Sequence, residues 1–471
     1  MSMNLGRHAA AIFVMAFFVS APAAAGTEEE FGDLLEVGRT KDALVLAENW
    51  VRVENSQKAK FALGTAQFLY AIERLGNGFH AFGLGNAFST GMWMDLADLP
   101  FLRVPVPANP DPQPVTYSGL RDLLERFGDD LSLADMTLAG IGPEEFDFAL
   151  DFGAVSLDLD GDGQVGPNEH LVTLFSAVSQ MRAPADGLLF DLDQSDAPWL
   201  RGYTHLLRAM TEFLLAHDWH QTFDETFHFL FPDSELKSSD IRRSATDALI
   251  FLEQHEPPTS YWEATRSYRW GDPNKPSRET WERTPQGREW AKWDEEYGTE
   301  YRRAENFLEY GGIADIVAFI HRFDWPIVDE SRMENSRIHL LTMIDLSREN
   351  WRRVLQESDD KYEWLPSPRQ TPRFPRMRVS QEVVEGWHRF LETAEDVLEG
   401  RKLIAHWRFL DKGVNVRLMF EDPGTFDPVM IAQGAAVIPY LEKGEMVSAQ
   451  TAETMFDIFE RGFFAYFVWF N

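Results

Sequence analysis

The sequence contains no cysteine, which excludes disulfides and attachment of a lipid through a thiol, so core packing or a bound metal must supply the stability. Basic residues are scarce: 44 Lys and Arg stand against 76 Asp and Glu, a net charge of -32. Such an excess of negative charge opposes encounter with a phosphate backbone and argues against nucleic acid as a partner. Cations, neutral glycans and basic proteins remain as partner classes. No apolar run reaches the roughly 20 residues that a transmembrane helix needs. The familiar enzyme signatures are also missing. There is no G-x-S-x-G elbow, no H-E-x-x-H, no phosphate loop and no glycine-rich dinucleotide pattern after a strand.

What is present is globular: 471 residues, 44% hydrophobic and 25% charged, enough to bury a large core. Arg7, the apolar stretch Ala9 to Val19 and the small residues Ala21 to Ala25 read as a cleaved secretory signal over residues 1–25. The expected compartment is therefore periplasmic or extracellular. Apolar residues at helical spacing over 41–75 and 117–138, the latter behind the N-cap candidate Thr116, predict a mainly α protein with short β-strands (α+β). Ser380 is a second N-cap candidate, ahead of a helix ended by Gly400. The glycines and prolines between 76 and 115 predict a long loop.

Phe68 to Leu75 resembles Ile316 to Phe323, and in each half a Pro-rich stretch, a capped helix, an extended run (Phe148 to Leu157; Val414 to Phe420) and further helices follow. This order suggests an internal duplication: two similar helical lobes, 26–235 and 305–471, whose short strands pair across a pseudo-twofold axis. A Trp/Tyr-rich insertion, 236–304, separates them. Within it Trp290, Trp293, Tyr297 and Tyr301 fall at i, i+3, i+7 and i+11, on one face of a helix. The stripe either docks the insertion on a lobe or forms an aromatic platform for a glycan or peptide ligand.

The chemistry begins at Asp158. The twelve residues Asp158-Leu159-Asp160-Gly161-Asp162-Gly163-Gln164-Val165-Gly166-Pro167-Asn168-Glu169 fit D-x-D-x-D-G-x5-E at every defining position. Calcium favours six to eight hard oxygens, and alternate side chains of a tight bend can turn toward one ion. The segment resembles the EF-hand calcium-binding loop. That resemblance implies Ca2+ held by Asp158, Asp160 and Asp162 as monodentate ligands, by the Gln164 carbonyl, and by Glu169 as the bidentate ligand. Gly166 leaves a vertex to water, and lanthanides suit the same cage. A helix over about 167–182 is expected to leave the loop. Upstream the pattern departs from an EF-hand, because Phe148 to Ser156 alternates like a strand where the family has a helix. A second acidic turn at Asp191, Asp193 and Ser195 has Gly202 where the closing Glu would stand.

A further constellation, His217, His220, Asp224 and His228, sits at i, i+3, i+7 and i+11. One unbroken helix from Trp199 to Phe231 would hold these groups within a sector of roughly 80°. They are either ordinary histidines on a helix surface or part of a zinc or iron site completed by other segments. His205 and Glu212 lie on an adjacent face. The functional expectation is a secreted calcium-binding protein with one structural EF-hand-like site, acting as a binding or scaffold module. The alternative is a secreted glycan-active hydrolase or lyase with structural calcium.

Overall fold

The structure, a computed structural model, describes residues 27–84, 105–179, 188–231, 239–269, 272–373, 379–448 and 463–470. The expected signal segment lies outside them. The protein is mainly helical with two small antiparallel sheets. No helix of the described residues is long and apolar enough to cross a membrane.

Helices α1 (Glu28–Glu36), α2 (Thr40–Glu54) and α3 (Gln57–Ala81) precede α4 (Tyr117–Ala139). Thr116 caps α4 as expected, its hydroxyl accepting the Gly119 amide at 3.0 Å. The loop expected from residue 76 is corrected at its start, where a helix runs through Gly76 and Gly78 to Ala81, and residues 85–104 of it lie outside the described residues. These glycines serve close approach rather than helix breaking. A Cβ at Gly76 would come 2.6 Å from Leu159 Cδ2, and one at Gly78 would collide with Leu123 on α4. The helical backbone thus tolerates both residues because each admits a neighbour's leucine.

Strand β1 (Phe148–Asp151) leads into the acidic loop, and α5 (Leu171–Ser179) follows it. The helix expected from Pro167 therefore begins later, behind a turn at Pro167 and Asn168. Strand β2 (Leu189–Leu192) pairs with β1 in the register Phe148↔Leu192. Next come α6 (Asp196–Ala216) and α7 (His220–Thr226). The segment between the expected lobes forms α8 (Ser239–Gln254), α9 (Tyr261–Thr265), α10 (Arg278–Glu282), α11 (Pro285–Glu296) and the first part of α12 (Gly298–His321).

Helix α13 (Glu330–Val354) runs antiparallel along α6, with Ser336 Oγ donating to the Ala209 carbonyl at one end and Arg353 donating to the Gln194 carbonyl at the other. Ser380 caps α14 (Gln381–Leu398), and Gly400 follows at φ 69°. A second sheet has the order β3 (Ile404–His406), β4 (Phe409–Val414), β5 (Leu441–Glu442). The extended run expected over Val414 to Phe420 is strand only at its first residue. The rest lies in the helix α15 (Val416–Glu421), whose N-cap Asn415 accepts the Leu418 amide. Helix α16 (Pro428–Gln433) follows.

The strands of the two halves pair within their own sheets and not with each other. One main core takes Phe31, Phe61, Phe148 and Trp199 from the first half and Trp351, Trp387 and Trp469 from the second. The apolar segment Tyr466 to Phe470 joins this core. The helix Phe463–Phe470 buries Trp469 and Phe470 completely.

Candidate metal centre

The acidic loop is closed at its base and cradled from behind. The Leu157 amide donates to the Glu169 carbonyl at 2.8 Å and the Leu171 amide to the Val155 carbonyl at 2.9 Å, so the two ends meet as a short antiparallel bridge, Ser156↔His170. The Ser156 amide also donates to the Leu35 carbonyl of α1 at 2.9 Å. No helix enters the loop; α3 takes that place from outside. Asn77 Nδ2 donates to the Asp158 carbonyl at 2.6 Å, Glu73 accepts the Asp158 amide at 3.1 Å, and Leu159 fills the notch at Gly76. Glu73 is buried, and burial pushes its carboxyl up to about 7 against the pull of the Thr40 hydroxyl and the Asp158 amide.

Within this frame the loop bends as its residue types require. Gly161 and Gly163 have φ of 73° and 77°, a left-handed region that side chains rarely enter. The Gly163 amide donates to Asp158 Oδ2 at 3.0 Å, Asp162 N to Asp160 Oδ1 at 3.1 Å and Gln164 N to Asp162 Oδ1 at 2.7 Å. Asp158, Asp160 and Asp162 each bring one carboxylate oxygen within 4.8 Å of the others, the one such three-residue group among the described residues. Asp158 Oδ1 is buried with no hydrogen-bond partner. A buried carboxylate oxygen left without a donor is costly, and a cation beside it would meet that need. Asp160, Asp162, Gln164, Gly166 and Glu169, which hold places three, five, seven, nine and twelve of the loop, all line one recess of about 310 Å³ walled on another side by Pro107. The residues present fit a hard divalent ion.

Glu169 is the exception to convergence. Its Oε1 accepts the Leu159 amide at 2.7 Å and its Oε2 the Gly166 amide at 2.6 Å, so its carboxylate is engaged by the loop's own backbone and stands outside the aspartate triad. Val165, in the eighth place, joins no strand; it packs against Gly38 instead, where a Cβ would come 2.8 Å from its Cγ2.

The second constellation is not brought together. Helix α6 ends at Ala216, and His217 is extended at φ -111° and ψ 151°. Arg121 of α4 ends it by donating to the carbonyls of Leu215 at 2.6 Å and His217 at 2.8 Å. The His217 ring is buried against Phe213 and Phe426, with Nδ1 2.6 Å from the Phe213 carbonyl, and burial pulls its pKa down. His220 stacks on Tyr117 at 4.5 Å, with Nε2 3.6 Å from Asp224. His228 is buried with Nε2 3.3 Å from Asp315 of α12. The break in the helix leaves His220 and Asp224 as a neighbouring pair, while His217 and His228 are engaged with Phe213 and Asp315.

The aromatic stripe is broken in the same way. Helix α11 stops at Tyr297, and α12 begins at Gly298, where a Cβ would collide with Asp294. Trp290 packs on Trp281 at 6.1 Å, Trp293 on Tyr301 at 5.0 Å and Tyr297 on His255 at 4.4 Å. All four rings are partly buried, in contacts with one another or with neighbouring rings.

Two groupings were not read from the sequence. The acidic turn at Asp193 and neighbouring Asp196 meets Glu357 and Glu363 from far along the chain. Burial and mutual repulsion drive Asp196 well above the carboxylate range and Glu363 up to about 8. The other is a chain of groups across α4, α6 and α13. His205 Nδ1 lies 2.8 Å from His339 Nδ1, and His205 Nε2 lies 3.3 Å from Asp135. Burial alone would raise Asp135, but His205 and Arg201 hold it down to about 2. Burial, then Arg208 and His205, hold His339 down to about 4. An unfolded histidine takes its proton near 6.5. Folding stability from His339 is thus fully present above that pH and is lost as pH falls from 6.5 toward 4. Urea midpoints measured across that range should fall for the wild type and fall less for His339→Gln.

Comparison of the chain with family models, with curated proteins and with solved structures finds no match in any of the three.

Proposed function

We propose that the protein is a calcium-binding protein of the periplasm or extracellular space, whose single EF-hand-like loop is a structural staple and whose body serves as a binding or scaffold module. The observation that carries this reading is the convergence of one carboxylate oxygen each from Asp158, Asp160 and Asp162, together with the buried, unpartnered Asp158 Oδ1. Further support comes from the recess beside them, lined by Asp160, Asp162 and Gln164 of the same loop. The attachments of the loop to α1, α3 and α5 favour a staple over a sensor: a sensor needs a partner helix free to swing, and here α3 is pinned through Asn77 and Glu73. Extracellular calcium modules work with dissociation constants of about 0.1–1 mM, so a modest site is occupied in that compartment. The glycan-active alternative has less support, because the rings offered as a cleft are engaged with one another. Elemental analysis of protein purified without chelator tests the reading. One calcium per chain is expected, reduced to none in Asp160→Ala; metal-free wild type, even after dialysis against millimolar calcium, would refute it.

A further inference from the structure

The β3–β4 hairpin turns at Trp407 and Arg408 and carries two large apolar side chains into solvent. Leu410 is 95% exposed and Trp407 71%. Their exposure does not come from a slack loop. Trp407 Nε1 donates to the Ala432 carbonyl at 3.0 Å, and His406 Nε2 lies 3.1 Å from the Ile431 carbonyl, so α16 holds the turn. Phe409, on the opposite face of β4 from Leu410, packs on the small core of Val414, Val437 and Tyr440. Gly413 and Val414 at the far end of β4 are buried, whereas Leu410, Asp411 and Lys412 are all exposed, so the strand is anchored at its two ends and its middle stands free.

The charge at this tip runs against the rest of the molecule. The one acid of the turn region, Asp411, lies 3.5 Å from Lys443. Arg408 lies over the Trp407 ring at 4.2 Å, and neither Arg408 nor Lys412 has an acidic side chain within ion-pair distance among the described residues. Lys412 lies on the same side of β4 as Leu410 and is exposed as well. A chain of net charge -32 thus presents two uncompensated cations beside its most protruding apolar groups.

We propose that this hairpin tip docks the protein on the surface of an anionic phospholipid bilayer. Leu410 and Trp407 enter the interfacial layer, where an indole ring is at home, while Arg408 and Lys412 meet lipid phosphates. The convexity of the tip favours a bilayer over a protein partner. Two protruding side chains bury far less than the roughly 1,000 Å² that a specific protein interface needs, whereas lipid deforms around a single point. The acidic remainder is repelled by the same leaflet, which confines contact to the tip and makes the attachment weak and salt-sensitive.

Flotation with vesicles tests this. The wild type should float with vesicles of phosphatidylcholine and phosphatidylglycerol, less with phosphatidylcholine alone, and less again as salt is raised. Leu410→Asp and Lys412→Glu should each weaken binding about tenfold. Both positions are solvent-facing, so an unchanged circular dichroism spectrum and melting temperature would separate lost docking from lost folding. Three results overturn the proposal: no flotation of the wild type with anionic vesicles, equal flotation of Leu410→Asp, or sedimentation showing that Leu410→Asp dissociates a wild-type dimer, which would give the patch to a second copy.

Discussion

Chelation of calcium should lower the thermal midpoint of this protein by several degrees, and Asp158→Ala should abolish that shift. A ligand bound only by the folded state stabilises it by RT ln(1 + [L]/Kd), about 2.7 kcal/mol at a hundredfold excess over Kd. Two features enlarge the effect here. The three aspartate oxygens lie within 4.8 Å of one another, so without a cation their charges repel. The loop is also a junction, bonded to α1 through the Leu35 carbonyl and to α3 through Glu73 and Asn77. Loosening it disturbs both helices at once. Differential scanning with and without chelator measures the shift. Asp158→Ala removes both the repulsion and the ion, so its chelator-insensitive midpoint should lie near that of the chelated wild type or slightly above it.

Trp469→Ala should cost about 3–5 kcal/mol, the usual range for truncating a large buried aromatic. Trp469 is fully buried; its Nε1 donates to the Trp364 carbonyl at 3.1 Å, and its own carbonyl accepts Trp199 Nε1 at 3.0 Å. The substitution opens a cavity beside Tyr466 and Phe470 and strands the Trp364 carbonyl. Trp469→Phe keeps most of the volume and loses the hydrogen bond, so it should cost about 1–2 kcal/mol. Denaturant midpoints at constant slope would give both values. The calcium-dependent increment should be unchanged in either variant, since the hydrogen bonds and ring contacts described for Trp469 run to Trp199, Trp364, Tyr466 and Phe470 rather than to the loop, and effects at separate sites add. A loss below about 1 kcal/mol for Trp469→Ala would mean that the C-terminal helix does not complete the core.

Local chemistry was legible in the sequence and distant approach was not. Thr116 and Ser380 were readable as caps because a hydroxyl satisfies an amide three residues on, a short-range event. The mainly α class followed from periodicity, and the acidic bend from the spacing of its own twelve residues. Gly76 and Gly78 misled because a glycine that breaks a helix and one that admits a neighbour are the same letter; the neighbours, Leu159 and Leu123, arrive from α4 and the loop beyond it. The helix end at His217 was invisible for a similar reason. Arg121, which takes its last carbonyls, stands 96 residues earlier. The pairing of His205 with His339 spans 134 residues, and no spacing rule reaches that far. Glu169 was placed among the metal ligands by its position, yet its oxygens hold the amides of Leu159 and Gly166. Competition from backbone donors is a property of the folded loop alone.

Calorimetric titration of the protein with calcium addresses the central claim most directly. The expected result is a single saturable site, one ion per chain, with a dissociation constant no weaker than about 1 mM, absent in Asp158→Ala and retained in His220→Ala. Binding heats that are missing from the wild type, or that persist unchanged in Asp158→Ala, would contradict the assignment of the ion to this loop.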